Sequence, residues 1–264
     1  MARMKLQRIM VATKPWERVL PIAANHARQL APGAADEIEI VGSVFDAAVS
    51  AGSDRGEAAA RKSQDRTVAA ARAGLERLAS SMRDSGARVT TRIVWGAPPY
   101  EAILGATHDW RADLLVVGTH EPGTPHTRLT DTDWQLLRRA HCPLLLVKSA
   151  AFSGYRTILA AIDPLPGSDA LDLLDGAVLA ASRCVATACG STVRAVEGFP
   201  AWGVIDAAAD RRADLVVVAA VRQPGLAAAV VGNTAELVAG ELACDVLIVP
   251  VAEEPLPHAV YAQR

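Results

Sequence analysis

The segment from residue 213 to residue 237 combines residue types that can bind a phosphate group. It reads ADLVVVAAVRQPGLAAAVVGNTAEL, in which a strand-like apolar run is followed by Gly225 and Gly232. A helix is predicted to begin at Asn233 and Thr234. Backbone N–H groups at a helix N-terminus attract anions, and glycine lets phosphate oxygens approach the backbone closely. The pattern predicts an anion-binding turn, although most of the glycines that such a turn uses are missing.

The chain repeats itself, and the spacing of the repeat indicates a deletion. Four pairs of segments match: three pairs are separated by 101 or 102 residues, and the pair nearest the N-terminus by 149 residues. The second copy is therefore shorter than the first by about 47 residues, the length of one strand and one helix. The matching pairs are 111–119 with 212–220, 141–148 with 243–250, 94–103 with 196–205, and 8–15 with 157–164.

Predicted strands alternate with predicted helices, which is typical of α/β domains with doubly wound parallel sheets. A chain of 264 residues is long enough for two such domains, and we place copy one at 1–150 and copy two, with an irregular C-terminal tail, at 151–264. In copy one the predicted strands are 6–13, 37–45, 88–95, 112–118 and 143–148, and the predicted helices are 17–30, 57–85, 98–109 and 130–140. In copy two the predicted strands are 156–163, 192–197, 214–219 and 245–250, and the predicted helices are 169–189, 200–210 and 233–242.

The composition argues against several classes of function. Apolar residues make up 51% of the chain and charged residues 21%, and the net charge is −2, so there is no basic surplus for nucleic-acid binding. The N-terminal residues lack the pattern of a secretory signal, and no apolar stretch reaches the roughly 18 residues of a membrane span. Four cysteines without metal-type pairs indicate a reducing compartment. We expect a cytoplasmic protein without a nucleic-acid or membrane partner.

Two stretches, together with the repeat, identify a family. TDTDWQLLRRAHCPLLLVK at 130–148 and VVGNTAELV at 230–238 resemble the universal stress protein family, in its tandem E subtype, and the resemblance covers nearly the whole chain as two family units. It implies Rossmann-like domains of the adenine nucleotide alpha hydrolase-like type. It also implies a cytoplasmic stress-response regulator that often forms homodimers, in a family with ATP-binding and non-binding branches.

The resemblance places a glycine-rich ATP loop after the fourth strand, and copy one departs from it. The ATP-binding branch has Gly-x-x-Gly, nine residues, and Gly-Ser/Thr, whereas this chain has Gly118, followed by Thr119, then Glu121, Asp131 and Thr132. Two carboxylates would then face a polyanion, and each close pair costs about a few kcal/mol even at a surface-like dielectric constant. Copy one also has Lys14 where the resemblance implies an acidic residue that reaches the nucleoside.

Copy two departs from the same pattern in other places. It has Ala219 and Arg222 in place of the first two glycines, then Gly232 and Asn233. The Arg222 side chain would occupy a place meant for bare backbone, although its charge can attract a different anion. Copy two keeps the acid of the first strand as Asp163 but has lost the second strand. We therefore interpret both loops as remnants, with no bound cofactor and with ATP disfavoured.

Several of these residues also have a purely structural interpretation. Asp163 precedes a proline and suits a turn, Asn233 or Thr234 can cap a helix, and Asp131, Thr132 and Asp133 are suitable N-cap residues. Cys142 and Cys244 occupy equivalent positions and are predicted to be buried apolar thiols rather than redox sensors. The six histidines have no zinc-ligand spacing, and no Ser/His/Asp order indicates a catalytic triad.

The favoured hypothesis is a non-enzymatic stress-response module that binds or regulates, with degenerate nucleotide loops. The alternatives are an ATP-binding, slowly hydrolysing switch and a carrier of an unknown small ligand, such as an amphipathic metabolite. An adenylyl-transferring enzyme would need a Gly-Ser loop after the first strand, and neither copy supplies one.

The edges of the two predicted sheets also indicate how the copies assemble. We predict an intramolecular pseudo-dimer through strands 143–148 and 245–250, since an unpaired apolar edge strand promotes aggregation. The apolar helix at 169–189 is predicted to be covered on its outer side, by copy one or, preferably, by a second chain.

Overall fold

The computed structural model describes eleven parts of the chain: 5–13, 20–31, 33, 36–45, 57–84, 86–119, 129–149, 152–162, 169–197, 201–222 and 233–252. The strands in these parts are β1 (Arg8–Thr13), β2 (Glu37–Val44), β3 (Arg88–Trp95), β4 (Leu114–Gly118), β5 (Leu144–Val147), β6 (Thr157–Ile162), β7 (Thr192–Glu197), β8 (Leu215–Arg222) and β9 (Asp245–Ala252). The helices are α1 (Leu20–Leu30), α2 (Glu57–Asp84), α3 (Pro99–Trp110), α4 (Asp131–Arg139), α5 (Asp169–Cys189), α6 (Ala201–Asp210) and α7 (Asn233–Glu241).

All of these strands join one sheet in the order β3-β2-β1-β4-β5-β9-β8-β6-β7. Neighbouring strands are parallel within each copy, and the fold class predicted from the sequence is confirmed. The exception is the contact between β5 and β9, which is antiparallel and joins copy one to copy two. These are the two strands that were predicted to pair.

The deletion in copy two changes which strand lies at the edge of the sheet. In copy one β2 lies between β1 and β3, whereas in copy two β7 pairs directly with β6. The sequence around β7 matches that of β3, so β7 takes the place that β2 has in copy one. Copy two therefore keeps four parallel strands, as predicted, and α5 makes the single crossover between β6 and β7.

The helices cover the two faces of the sheet in a fixed division. One apolar core holds the inner residues of α1, α2 and α5, including Ala27, Leu75 and Val178. The other core holds those of α3, α4, α6 and α7, including Leu136 and Val238. Because the crossovers are right-handed, the first helices of both copies lie on the same face.

Helix α5 is covered in part by copy one. It contacts α1, and Val178 and Ala181 are buried between it and the sheet. The inward side of α5 thus packs as one core with copy one, whereas Leu173 near its start is 49% exposed. Cover of that outer side by a second chain stays a prediction.

The repeated Arg-Ala-Asp sequence has a structural role in each copy. Arg111 and Arg212 end helices α3 and α6 in the left-handed conformation, with φ of 53° and 48°. The following aspartates then accept hydrogen bonds from the backbone at the start of the neighbouring strand: Asp113 from Arg8 N at 3.0 Å, and Asp214 from Thr157 N at 2.8 Å. The motif therefore fixes the amino ends of the strands, away from the ends that bind ligands in this fold class.

Candidate functional site

The strand order defines one candidate crevice in each copy. The chain turns from one side of the sheet to the other between β1 and β4 in copy one, and between β6 and β8 in copy two. In open α/β sheets, ligands bind beyond the carboxyl ends of the strands at such points. Gly118, Thr119 and Thr132 therefore lie around the first crevice, and Arg222, Asn233 and Thr234 around the second.

The predicted site residues after β4 bond to the protein itself. Gly118 is the last residue of the strand. Thr119 is buried, and both its backbone N–H and its hydroxyl donate to the carbonyl oxygen of Val147, at 2.9 and 3.2 Å. The Thr119 hydroxyl is thus directed to strand β5.

The N-terminus of α4 carries a carboxylate of its own. Thr130 is the N-cap residue: its hydroxyl oxygen accepts from Asp133 N at 3.3 Å, and its backbone N–H donates to Asp133 Oδ2 at 2.7 Å. The expectation that Asp131, Thr132 or Asp133 is the N-cap is therefore wrong by one position or more. Thr130 is favoured as the N-cap because it allows a reciprocal capping box, in which the Asp133 side chain accepts a hydrogen bond from the Thr130 backbone N–H. Asp131 is exposed in the same turn, and Thr132 is half-buried.

The loop expected after residue 219 in copy two begins later than predicted. Strand β8 continues to Arg222, which pairs with Ala252 of β9. Copy one has Gly118-Thr119-His120 where copy two has Ala219-Ala220-Val221. Without glycine, and with a longer partner strand in β9, the chain stays extended. Arg222 is therefore part of the strand rather than of a phosphate-binding turn.

Some predicted site residues lie outside the described parts of the chain. These are Asp163, Gly225 and Gly232, together with Lys14 and Glu121 of the family comparison. Asn233 and Thr234 are the first two residues of α7, and Thr234 is half-buried. The two interpretations of this segment, as a cap and as an anion site, both stay predictions.

An aromatic pair lies at the carboxyl ends of β2 and β3 in copy one. Phe45, which is 39% exposed, follows β2, and its ring centroid is 6.3 Å from that of Trp95 at the end of β3. The nearby Ser43 hydroxyl is buried and makes no hydrogen bond within the described structure.

A second cluster, missed by the sequence analysis, is buried where the two copies meet. Its centre is the carboxylate of Asp245, at the start of β9. Oδ2 lies 2.9 Å from His26 Nε2 and accepts from the Tyr155 hydroxyl at 2.9 Å. Oδ1 accepts from the backbone N–H of Lys148 at 2.8 Å and from both the N–H and the hydroxyl of Ser149 at 2.9 Å. Asp245 and His26 are fully buried. We call the five residues Asp245, His26, Tyr155, Lys148 and Ser149 the junction cluster.

The hydrogen bonds of the junction cluster extend to the backbone of α1 and lower the pKa of Asp245. The other ring nitrogen of His26, Nδ1, is 2.7 Å from the Ile22 carbonyl oxygen. Burial alone raises the pKa of the Asp245 carboxyl, but His26 and the N–H groups of Ser149 and Lys148 outweigh burial and lower that pKa below its ordinary value.

Lys148 belongs to the same cluster but points elsewhere. Its ammonium donates to the carbonyl oxygens of Ala239 and Leu242 at the end of α7, the latter at 2.7 Å. Cations are favourable at this end of a helix. Burial lowers the pKa of Lys148 to about 8, and burial together with the Asp245 charge raises the pKa of the Cys244 thiol to about 12.

The cluster brings a serine, a histidine and an aspartate together, although no catalytic order was found in the sequence. Asp245 accepts from the Ser149 hydroxyl, and His26 Nε2 lies 2.9 Å from Asp245 Oδ2 and 3.4 Å from Ser149 Oγ. The carboxylate and the hydroxyl thus face the same ring nitrogen, whereas in a nucleophile relay they face opposite nitrogens of the histidine. The sequence contains one sign of this cluster: Asp245 occupies the position that is equivalent to Pro143 in copy one.

Two further classes of site are absent from the described parts of the chain. These residues contain no group of three or more histidines, cysteines or carboxylates placed to hold a metal ion. None of the described helices is long and apolar enough to cross a membrane.

The fold and its two crevices define a tandem of doubly wound α/β units of the nucleotide-binding kind. A sequence profile of the universal stress protein family matches residues 5–148 and 170–250. The chain therefore belongs to the universal stress protein family, as the resemblance predicted.

Curated relatives agree with the tandem E subtype. The chain is 24% identical to Universal stress protein E of Escherichia coli K12 over 223 residues, covering 63% of this chain and 69% of that protein. It is 32% identical over 85 residues to Universal stress protein E of Photorhabdus laumondii, covering 30% of this chain and 26% of that protein.

Solved structures agree with the fold along the whole chain. A universal stress protein from Archaeoglobus fulgidus superposes with a TM-score of 0.71 at 12% identity, covering 93% of this chain and 99% of that chain. A functionally unknown protein from Pseudomonas aeruginosa PAO1 superposes with a TM-score of 0.69 at 21% identity, covering 94% of each chain.

Proposed function

We propose that this chain is a non-enzymatic, cytoplasmic module of the stress response that acts by binding, and that neither of its nucleotide loops holds ATP. The two copies pair with each other within the chain as a pseudo-dimer, in which one partner is the complete copy and the other is the shortened copy. The relatives named Universal stress protein E support the stress-response role.

The observation that carries the proposal is the capping box at the start of α4. In a nucleotide-binding unit, the N–H groups of this turn face phosphate oxygens. Here the Thr130 N–H donates to the Asp133 carboxylate, and Asp131 adds a second negative charge in the same turn. A phosphate would have to displace one carboxylate and approach the other.

Copy two supports the same proposal by a different route. Strand β8 runs through Ala219 to Arg222 in hydrogen-bonded register with β9. A turn that wraps a phosphate cannot form over residues that remain extended. The residues in the two copies thus do not fit ATP for two separate reasons.

A restoration experiment tests this proposal. Equilibrium dialysis with Mg-ATP compares the natural chain with Glu121→Gly/Asp131→Gly, which puts back both missing glycines of copy one. The natural chain is expected to bind with a Kd above about 100 μM, weaker than about −5.5 kcal/mol. The restored variant is expected to bind about tenfold or more tightly, because two repulsive charges are removed.

A control separates local from general charge effects. Asp206→Asn/Asp210→Asn removes two negative charges from α6, and it is expected to bind ATP no better than the natural chain. Low-micromolar binding by the natural chain, or equal gains in both variants, would count against the proposal.

A carrier of an unknown small ligand is the second candidate, favoured by the ring contact of Phe45, which is 39% exposed, with Trp95 at the carboxyl ends of β2 and β3. Rings of this kind suit an amphipathic or ring-bearing molecule. Native mass spectrometry of the chain purified without added ligand should then detect a retained small molecule. It should be lost from Phe45→Ala and kept by Trp202→Ala, whose tryptophan lies in copy two and is 55% exposed. The same bare mass for all three proteins would argue against a carrier.

We also propose a homodimer of the chain, which the exposed Leu173 of α5 supports. Exposed apolar side chains beside a half-covered helix favour association. Sedimentation velocity of the natural chain and of Leu173→Glu tests this: the natural chain is expected to sediment as a dimer and the variant as a monomer. A monomer in both cases would contradict it.

A further inference from the structure

The two copies meet with near two-fold symmetry. Positions 102 apart in the sequence exchange their contacts: Trp134 of α4 lies beside Gly240 of α7, and Glu236 of α7 lies beside Arg138 of α4. Trp134 is equivalent to Glu236, and Arg138 to Gly240. In a two-fold contact, residue i touches residue j and residue j touches residue i. Judged by these contacts alone, each copy could pair with another of its own kind.

The junction cluster breaks this symmetry. Three of its members have a different residue at the equivalent position of the other copy: Asp245 corresponds to Pro143, Lys148 to Pro250 and His26 to Asp175. The last pair is 149 residues apart, and both members lie six residues after the start of their helices. The donors to Asp245, which belongs to copy two, come from copy one and from the connection that carries Tyr155.

Pairing of copy two with another copy two would leave Asp245 poorly satisfied. Asp175 would stand in place of His26, so two buried carboxylates would approach each other. Pro250 would stand in place of Lys148, and proline has no backbone N–H to donate. Buried charges that lose their partners are strongly destabilising.

Pairing of copy one with another copy one would fail for the opposite reason. Pro143 would stand in place of Asp245 and provides no carboxylate. His26 and the N–H groups of Lys148 and Ser149 would then be buried without their acceptor. Donors left unsatisfied in this way oppose association.

We infer that the junction cluster is a recognition device that makes the pairing face of each copy specific for the unlike copy. The chain therefore closes on itself, copy one upon copy two. The β5 and β9 edges are unavailable to other units of this family. The apolar strands β5 and β9 provide the affinity between the copies, and the junction cluster provides the specificity. Polar groups commonly give specificity because a wrong partner leaves them unpaired.

The test uses hydrogen–deuterium exchange of the full-length chain. His26→Glu supplies the second carboxylate that like-with-like pairing would create. It is expected to speed exchange of the mutually facing amides of β5 and β9 by about 100-fold, while the amides of β1 and β6 change by less than about threefold. The double variant His26→Glu/Asp245→Asn turns one carboxylate into an amide donor, and it is expected to return exchange to within about tenfold of the natural chain.

Two further variants keep the test decisive. Arg138→Gln removes a half-exposed contact between the copies and is expected to change exchange by less than about fivefold. If His26→Glu does not fold, Asp245→Asn alone is expected to open the same two strands selectively, by at least about tenfold. Exchange that rises equally throughout the sheet, stays unchanged in His26→Glu, or is not rescued in the double variant would overturn the inference.

Discussion

Leu145 of β5 lies directly opposite Leu247 of β9, and the two leucines occupy equivalent positions of the repeat. An antiparallel pair in which a residue faces its own equivalent is centred on a two-fold relation. Each copy therefore covers the sheet edge that the other would otherwise expose. The joined sheet explains why the chain forms two apolar cores that both extend through the two copies.

This relation predicts equal and coupled effects of the two leucines. Leu145→Ala and Leu247→Ala are each expected to lower the free energy of unfolding by about 3 kcal/mol, because both side chains are fully buried. The double variant should show a coupling of at least about 0.5 kcal/mol. Chemical denaturation measures all three. The exposed Trp202→Ala serves as the control and should change stability by less than about 0.5 kcal/mol; additive effects of the two leucines would contradict the direct contact.

The Asp245 carboxylate predicts a stability difference that disappears in acid. Its folded pKa lies below the ordinary value, so its stabilisation is present above about pH 4 and is lost as the pH falls through the folded pKa. Asp245→Asn is expected to cost about 3 kcal/mol at pH 7. Denaturation of both proteins between pH 7 and pH 3 should show this difference shrinking below about pH 4. A difference that stays constant over that range would rule out the ionised carboxylate as its source.

Lys148 predicts a dependence of the same sign in the alkaline range. Its folded pKa of about 8 is below the ordinary lysine value, so from pH 8 to about 10 the unfolded chain binds more protons than the folded chain at this site. Stability from this group rises with pH in that window, by up to about 1.4 kcal/mol per pH unit. The natural chain should therefore gain stability relative to Lys148→Met between pH 8 and pH 10. The comparison with this variant cancels the titration of other groups, and equal pH profiles would refute the burial of a charged lysine.

Cys244 predicts a thiol that is inert in the folded protein. Burial and the neighbouring Asp245 charge raise its pKa to about 12, so almost none of it is thiolate at pH 8. Because the thiolate is the reactive form, iodoacetamide at pH 8 should modify Cys244 at least about 100-fold more slowly in the native chain than in denaturant. Peptide mass spectrometry measures both rates. Rapid native modification would favour the redox-sensor interpretation over the buried apolar one.

The periodic parts of this fold could be predicted from its sequence. Runs rich in Val, Ile and Leu predicted the strand bounds to within a few residues, because strands buried on both faces are apolar along nearly their whole length. The prediction was wrong where local chemistry competes. Strand β8 continues to Arg222 because β9 offers partners that the sequence alone does not reveal. Thr130 caps α4 because Asp133, three residues later, completes the capping box with its side chain.

The junction cluster could not be predicted, because its members come from four separate parts of the chain. His26 lies on α1, Lys148 and Ser149 follow β5, Tyr155 is in the connection and Asp245 begins β9. Only the packing of copy one upon copy two brings them within hydrogen-bond distance. The one sign in the sequence was that Asp245 occupies the position equivalent to Pro143 of copy one. An aspartate at the start of an apolar strand is also common in turns, so this difference did not indicate the four residues that donate to it.

The most direct test of this account is isothermal titration calorimetry of Mg-ATP into the natural full-length chain. The capping box at α4 and the extended β8 predict no binding heat at ligand concentrations up to about 100 μM, a limit of roughly −5.5 kcal/mol. A dissociation constant near or below about 1 μM, equivalent to about −8 kcal/mol, would contradict the account and restore the ATP-binding switch as the function of this protein.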